Sequence, residues 1–374
     1  MEIIRSATFE GMADKNGFPT AEYLKLYETL AKNDVKNIIT GFMFISNEGR
    51  AMQAGQAGLD KEEKIYAFQK ITDAVHHYGS KIIAQIAHTG RQTTKTGYKI
   101  VGVSSKKSMY FNETPHRLTT NEIYEVIQQF ADSAYYAKAA GFDGIQLHAA
   151  HGYLIHQFLI KSINNRTDEF KEGTLFFKKI IESIKTKCGS FPIWVKVSGD
   201  VDIEKNHQTQ FLKVIQLLDE LKVDLIEVSY GTMDYALNII RGSIPVKSVF
   251  KLNPIYKNKG LLWRIFNVPV IISKLIPYAP QYNLKYAKLA EKYTNIPISA
   301  VGGFSTLAEA QDCGLPYVSL CRPLICEPDF LVKSKNHSSY ISKCTKCNVC
   351  AIMTDTDQLL KCFGGMKNDG RKSI

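Results

Sequence analysis

The chain repeats one unit eight times: a short apolar run rich in β-branched residues, a loop, and a segment with apolar residues at helical spacing. Continuous short apolar runs are typical of parallel strands that are buried on both faces. Eight such units in about 335 residues predict an α/β fold, a (β/α)8 TIM barrel. The predicted strands are Glu2–Ala7, Asn37–Phe42, Lys81–Ala87, Gly144–His148, Pro192–Val197, Leu225–Ser229, Pro297–Val301 and Tyr317–Cys321.

The segments between the strands show the helical period, and two of them carry clear start signals in Thr20 and Thr119. A doubly wound open sheet is the alternative, but the turn after the first strand, residues 8–12, has no GxGxxG motif. We divide the chain into a barrel, residues 1–335, and a C-terminal cysteine-rich segment, residues 336–374. The predicted helices are Thr20–Lys32, Lys61–Tyr78, Thr120–Ala140, Thr174–Lys187, Gln208–Leu221, Tyr282–Lys292 and Thr306–Cys313, with a short turn at Pro328–Val332.

The net charge of +11 is compatible with nucleic acid, an anionic cofactor or a phosphorylated substrate as partner. No RNP, KH or zinc-finger pattern accompanies the charge, so we expect no nucleic-acid partner. The longest stretch without a charged residue, Gly144–Ile160, has 17 residues and three histidines, so we expect no membrane partner either. Glu2 and Arg5 precede any apolar run, which argues against a secretory signal and predicts a cytoplasmic protein. The connection of residues 230–280 is interpreted as a basic insertion over the active face.

In a TIM barrel the reactive residues lie at the carboxyl ends of the strands, and the loops after strands 7 and 8 commonly bind phosphate. Strand 7 runs into Gly302-Gly303 and strand 8 into Arg322. Exposed backbone N–H groups, the start of the helix from Ser305 and a guanidinium all favour an anion. Gly302-Gly303 could also be only a tight turn, but the presence of Arg322 favours a phosphate site.

Strand 4 ends in His148, His151 and Tyr153. Two imidazoles can donate hydrogen bonds to one substrate oxygen, and a phenol can deliver a proton to a developing carbanion. The alternatives are a histidine that serves a buried backbone group and a zinc site. Lys196, in an apolar strand, is costly unless it meets an anion, and a structural ion pair is the alternative.

These segments resemble a known family. The strings HAAHGYLIHQFL, residues 148–159, and NNRTDEF, residues 164–170, are similar to the signature of the Old Yellow Enzyme (NADH:flavin oxidoreductase) family. The resemblance covers residues 3–335. It implies that FMN binds without a covalent bond and is reduced by NADH or NADPH. It also implies hydride transfer from the reduced flavin to a small-molecule substrate, an activated alkene.

The resemblance also assigns roles. Tyr153 would be the proton donor, and His148 with His151 would grip the electron-withdrawing oxygen of the substrate. Lys196 would lie near the N1/O2 edge of the flavin and stabilise the reduced ring. The further FMN-binding residues would be Ala7, Thr8, Gly41 and Gln85 at the ring, and Gly302, Gly303, Cys321 and Arg322 at the phosphate.

Four cysteines follow the barrel with the spacing Cys344-x2-Cys347-x2-Cys350-x11-Cys362. Three close thiolates and one distant thiolate favour a [4Fe–4S] cluster over a zinc ribbon, which pairs two CxxC knuckles. The placement resembles the family branch of bacterial 2,4-dienoyl-CoA reductase and trimethylamine dehydrogenase. A cluster here predicts an external electron-transfer partner. Two other functions stay open: a flavin and iron–sulfur electron-transfer protein without ene-reductase activity, and a flavin barrel like the tRNA dihydrouridine synthases.

Overall fold

The computed structural model describes residues 1–94, 96–199 and 207–364. Within them, eight parallel strands form the wall of a barrel, and each starts within two residues of a predicted strand. The strands are β1 Glu2–Arg5, β2 Asn37–Ile39, β3 Lys81–Ala87, β4 Gly144–Ala149, β5 Ile193–Ser198, β6 Leu225–Ser229, β7 Ile298–Val301 and β8 Tyr317–Leu320.

The sheet is closed. The order of the eight barrel strands is β2-β1-β8-β7-β6-β5-β4-β3, and β2 also pairs with β3, which closes the ring. A ninth short strand, Met43–Phe44, pairs with the carboxyl end of β3. Asn37 pairs with Lys81 across this closing contact, and Glu2 pairs with Tyr317 where the first strand meets the last. The predicted (β/α)8 TIM barrel is therefore confirmed, and the open-sheet alternative is wrong, because an open sheet would leave two unpaired edge strands.

One outer helix follows each strand, close to the predicted bounds. The helix after β3 begins with a capping box in which Thr119 and Glu122 exchange hydrogen bonds, as its sequence suggests. The helices are Ala21–Lys32, Ile65–His76, Thr120–Ala139, Thr174–Cys188, His207–Glu220, Leu284–Ala290, Leu307–Asp312 and Phe330–Asn336.

Further helices occur that the repeat did not predict. The insertion after β6 forms two of them, Val246–Leu252 and Leu261–Ser273, and both lie over the carboxyl ends of the strands. Short helices also follow β4 and β8 directly, and another lies among the C-terminal cysteines: Leu154–Leu159, Arg322–Cys326 and Val349–Met353.

The barrel interior has an apolar and a polar layer. Ile4, Ile83, Trp194 and Leu225 pack together with Ile39 inside the ring of strands. Because side chains two positions apart on a strand share a face, the next inward positions toward the carboxyl ends follow directly. They are polar and buried: Ser6, Gln85, Lys196 and Glu227. The two-residue alternation along the strands therefore places a polar layer at the carboxyl ends of the strands, where the catalytic loops of this fold lie.

The C-terminal segment folds back onto the barrel. Leu360 N–H donates to the Glu10 carbonyl at 2.9 Å, and Ile341 forms a bridge with Thr306. Of the predicted segment 336–374, residues 365–374 lie outside the described part of the chain. Among the described residues, every helix is too short or too polar to cross a bilayer.

Candidate active site

The polar layer is one connected network. Lys196 Nζ lies 3.0 Å from Glu227 Oε2 and 3.0 Å from Ser6 Oγ, and both charged side chains are almost fully buried. Gln146 Nε2 donates to Glu227 Oε2 at 3.0 Å, and Gln146 Oε1 accepts from Gln85 Nε2 at 2.6 Å. The buried anion that Lys196 needs is therefore Glu227, as the ion-pair alternative anticipated. Glu227 was not predicted, although an acid in an apolar strand is as costly as a lysine.

Two adjoining cavities open above this network. The larger has a volume of about 320 Å³ and the smaller about 100 Å³. Ala7, His151, Lys196, Cys321 and Arg322 line both, so the two form one continuous site. Four more predicted residues line the larger cavity: Thr8, Gln85, His148 and Tyr153. Two more, Gly302 and Gly303, line the smaller cavity.

The smaller cavity is a backbone cradle with a cation at its rim. Gly302 and Gly303 have φ values of 125° and 90°, which residues with a Cβ rarely adopt. A Cβ on Gly303 would lie 2.4 Å from the backbone nitrogen of Gln281. Cys321 Sγ, at the end of β8, contacts Thr8 Oγ1 at 3.2 Å and thereby joins the first and last loops of the barrel. This cradle fits a phosphate.

The prediction that the N-terminus of the helix from Ser305 contributes to this cradle is wrong. The helix begins at Leu307, and its first N–H groups are occupied by its own capping box. Glu309 Oε2 accepts from the backbone N–H groups of Ser305 at 2.6 Å and Thr306 at 3.2 Å. Because a carboxylate already satisfies these donors, an anion in this cavity would meet Gly302, Gly303 and Arg322, and Lys346 also lines the cavity.

Arg322 is held by a residue that sequence reasoning missed. Asn348, between two of the predicted cluster cysteines, accepts from Arg322 Nη1 at 2.7 Å. The amide of Asn348 donates to the carbonyls of Ile240 at 2.8 Å and Ser243 at 3.1 Å in the insertion. Asn348 has a positive φ of 60°, a conformation in which asparagine is enriched. It therefore connects the cradle, the insertion and the cysteine segment.

The three predicted catalytic side chains lie together at the carboxyl end of β4. The ring centroids of His148 and His151 are 4.9 Å apart, and those of His148 and Tyr153 are 4.6 Å apart. His148 Nδ1 accepts from the N–H of Ala150 at 3.4 Å, which leaves Nε2 as the donor of a neutral ring. His151 Nε2 lies 2.8 Å from Ser229 Oγ on β6.

Burial sets the protonation of this group. It lowers the pKa of both imidazoles well below the usual range, and Lys196 lowers each further, so both rings are neutral near pH 7. Burial also raises the pKa of the Tyr153 phenol, and Asp355 adds to this shift. The site therefore offers neutral N–H donors beside a phenol that keeps its proton.

A buried carboxylate at the larger cavity was not predicted. Asp355 accepts hydrogen bonds from Gln53 Nε2 at 2.7 Å, Tyr110 Oη at 2.8 Å and Asn253 Nδ2 at 2.6 Å. Burial raises its pKa. Because the four residues come from four distant segments, no local sequence signal joins them.

Gly41 is the predicted flavin residue that lines neither cavity. Its backbone N–H donates to Glu10 Oε1 at 2.7 Å and contacts the Tyr27 hydroxyl at 3.0 Å. A Cβ on Gly41 would lie 2.1 Å from Glu10 Oε2, so the glycine makes room for this carboxylate. Its described role is in packing behind the site.

The four C-terminal cysteines line one cleft of about 10 Å³ with Arg322. Cys326, which lies outside the four-cysteine motif, lines the same cleft. Burial raises the pKa of Cys344 and, to about 12, of Cys350. No group of three or more potential ligands within the described residues is arranged to hold a metal ion. The cysteines converge, but they do not form a closed metal site.

Comparisons with known proteins agree with this architecture. Residues 3–261 match the model of the NADH:flavin oxidoreductase / NADH oxidase family. A NADH oxidase of Thermoanaerobacter brockii is 31% identical over 367 residues, which are 94% of this chain and 51% of that protein. The chain spans about half the length of the first curated relatives that it matches.

Solved structures share the fold. An old yellow enzyme homologue from Zymomonas mobilis aligns with a TM-score of 0.70 and 22% identity over 91% of this chain and 90% of that one. A 2-naphthoyl-CoA reductase complex aligns with a TM-score of 0.80 and 20% identity over 96% of this chain and 54% of that one. With the family match over most of the barrel, these findings show that the chain belongs to the NADH:flavin oxidoreductase / NADH oxidase family.

Proposed function

We propose that the protein is an FMN-dependent NAD(P)H oxidoreductase that reduces an activated alkene. The observation that carries this proposal is the group of His148, His151 and Tyr153 on one wall of a cavity that continues into a phosphate cradle. The larger cavity, with the amide of Gln85 and the ammonium of Lys196, suits a flat polar-edged ring. Gly303 and Arg322 suit its phosphate.

FMN, when bound and reduced by NADH or NADPH, supplies a hydride from N5 to the β-carbon of the alkene. The chain supplies the other half of the addition. His148 donates an N–H···O hydrogen bond to the carbonyl or nitro oxygen, which withdraws electron density from the carbon that accepts the hydride. Tyr153 gives its phenolic proton to the α-carbon, so that one hydride and one proton add across the double bond.

Two measurements test the proposal. Denaturing protein purified from cells, or refolded with excess FMN, should release FMN and no FAD. Anaerobic mixing of the reduced holoprotein with a cyclic enone should reoxidise the flavin and yield the saturated ketone. A holoprotein that oxidises NADH or NADPH and reduces no alkene would support the electron-transfer alternative instead.

We expect Lys196→Met to impair folding as well as activity. Removing one partner of a buried ion pair costs about 3–5 kcal/mol, because Glu227 is left charged and unpaired. The double variant Lys196→Met/Glu227→Gln should recover most of this stability, measured by thermal unfolding of the apoprotein. Its bound flavin should still have a lower midpoint potential, because the cation beside the reduced ring is gone. An unchanged potential would make Lys196 a purely structural residue.

We further propose that Cys344, Cys347, Cys350 and Cys362 bind a [4Fe–4S] cluster. Their shared cleft and thiolate chemistry support this proposal, and the cleft adjoins Arg322. Cys350 also lines the larger cavity, which brings the cysteine cleft next to the proposed flavin site. When bound, the cluster would exchange single electrons with an outside partner. In this proposal residues 1–335 form the FMN domain and residues 336–374 form the cluster segment.

Asn348→Gly should weaken FMN binding without removing a phosphate ligand. Glycine tolerates the positive φ at this position, so the backbone is kept. The change deletes the side chain that holds Arg322 and that also donates to the Ile240 and Ser243 carbonyls. Hydrogen bonds to charged groups are worth about 1.5–3 kcal/mol, so we expect the Kd of the apoprotein for FMN to rise at least about tenfold. Asn112→Gly, at a similar φ of 57°, is the matched control and should bind normally. Equal Kd values would contradict the role of Asn348.

A further inference from the structure

The helix Leu261–Ser273 presents an apolar face to solvent. The exposed fractions of Leu261, Leu262 and Phe266 are 73%, 72% and 71%, and Ile265 and Val270 are also exposed. Spacings of three and four residues put these side chains along one side of the helix. Single exposed hydrophobic residues are ordinary, whereas a contiguous apolar stripe marks an interaction site.

The opposite side of this helix is already occupied. Trp263 packs near the rings of Phe250 and Tyr256, with centroids 6.5 and 5.8 Å away. Arg264 lies over the Phe250 ring at 4.4 Å. Ile271, on the same helix, lines the larger cavity. The helix therefore turns an arginine inward and its most apolar side outward, the reverse of an ordinary surface helix.

The charge around this face favours an anionic surface. Residues 241–280 contain seven Lys and Arg and no Asp or Glu, in a chain whose net charge is +11. Lys257 and Lys259 precede the helix closely, and Lys274 follows it directly. A second copy of the chain, docked by the same face, would bring two such basic segments together and be repelled. Nucleic acid would use the cations and leave the apolar stripe wet.

We propose that this face docks the protein on an anionic phospholipid bilayer, with the helix lying in the headgroup plane. Apolar side chains facing the acyl boundary and flanking lysines at the headgroups are the pattern of interfacial helices. The helix has 13 residues and a length of roughly 20 Å, less than the ~30 Å of a bilayer core, so it lies on the membrane and does not cross it. The sequence-based expectation of no membrane partner concerned only a segment that crosses the bilayer.

Docking in this orientation has a consequence for the site. The inner side of the same helix forms a wall of the larger cavity through Val268 and Ile271. The helix would therefore separate the bilayer surface from the proposed substrate cavity by its own thickness. In this orientation an apolar substrate dissolved in the lipid would pass along the edge of the helix into the cavity without crossing bulk water.

Vesicle flotation of the full-length holoprotein tests the proposal. The protein should float with vesicles containing phosphatidylglycerol and much less with pure phosphatidylcholine, and about 0.5 M NaCl should weaken the anionic preference. Leu262→Ser/Phe266→Ser should lower the partition coefficient at least about tenfold, because two exposed apolar side chains no longer enter the boundary. Lys257→Gln/Lys274→Gln should reduce the difference between the two lipids.

Tyr66→Ser is the matched control, since Tyr66 is 70% exposed on the helix Ile65–His76. It should float like the parent protein. Bound flavin and circular dichroism verify that every variant is folded. The proposal is overturned if the parent protein floats with neither lipid, or if Leu262→Ser/Phe266→Ser floats as well as Tyr66→Ser. It is also overturned if sedimentation shows a dimer that Leu262→Ser/Phe266→Ser dissociates while flotation is absent.

Discussion

Replacing Tyr153 by Phe is expected to slow enone reduction by roughly 10²–10⁴-fold, the usual contribution of one general acid. The phenol lies against His148, with ring centroids 4.6 Å apart, on the wall of the larger cavity. Reduction of the flavin by NADH or NADPH needs no proton from this phenol and should stay near the parent rate. Rapid mixing under anaerobic conditions measures the two half-reactions separately.

Tyr23→Phe is the control for this substitution. Tyr23 is a fully buried tyrosine of the helix Ala21–Lys32, and it lines neither of the two cavities. Both half-reactions of Tyr23→Phe should match the parent. Equal slowing of both half-reactions in Tyr153→Phe would show that Tyr153 has a structural role and donates no proton.

The pH dependence of the same half-reaction should carry the signature of Tyr153. Burial and Asp355 raise the pKa of this phenol, so it stays protonated where an ordinary tyrosine, with a pKa of about 10, begins to ionise. The rate of enone reduction should therefore not fall through the ordinary tyrosine range. The lowered pKa values of His148 and His151 keep these rings neutral below the ordinary histidine pKa of about 6.5, so no loss is expected there either.

Cys347→Ala is expected to remove the iron entirely. Protein purified without oxygen should contain about four iron and four sulfide per chain if the cluster type follows from four thiolate ligands. The variant should lose both while it keeps FMN, because the cradle at Gly303 comes from the barrel. Asn348 is adjacent to Cys347 and holds Arg322, so the substitution can also disturb the phosphate cradle. The FMN affinity of Cys347→Ala should therefore fall no further than that of Asn348→Gly.

Two control variants define the ligand set. Cys188→Ala, in the helix Thr174–Cys188 and distant in sequence from the cysteine segment, should keep its iron. Cys326→Ala is the more stringent control, because Cys326 lines the cleft with the four predicted ligands. Iron loss in Cys326→Ala would reassign a ligand. Stoichiometric zinc without labile sulfide in iron-replete, oxygen-free preparations would leave a flavin barrel with a structural zinc site.

The sequence determined the barrel and the placement of its rim residues. Alternation along a strand fixes which side chains share a face, and parallel strands bring their carboxyl ends to one rim. Those two rules were enough to place Lys196, His148, Tyr153, Gly303 and Arg322 around one site. Both rules are local, because each depends only on the period and the direction of a strand.

Only the tertiary structure decided which residues pair across the site. Three contacts join segments that are distant in sequence. Glu227 pairs with Lys196, Asn348 holds Arg322, and Cys326 lines the cysteine cleft. Only the tertiary structure likewise shows that the apolar side of the helix Leu261–Ser273 faces solvent. A periodic pattern identifies the face of an element, but barrel closure and the return of the C-terminal segment determine what that face meets.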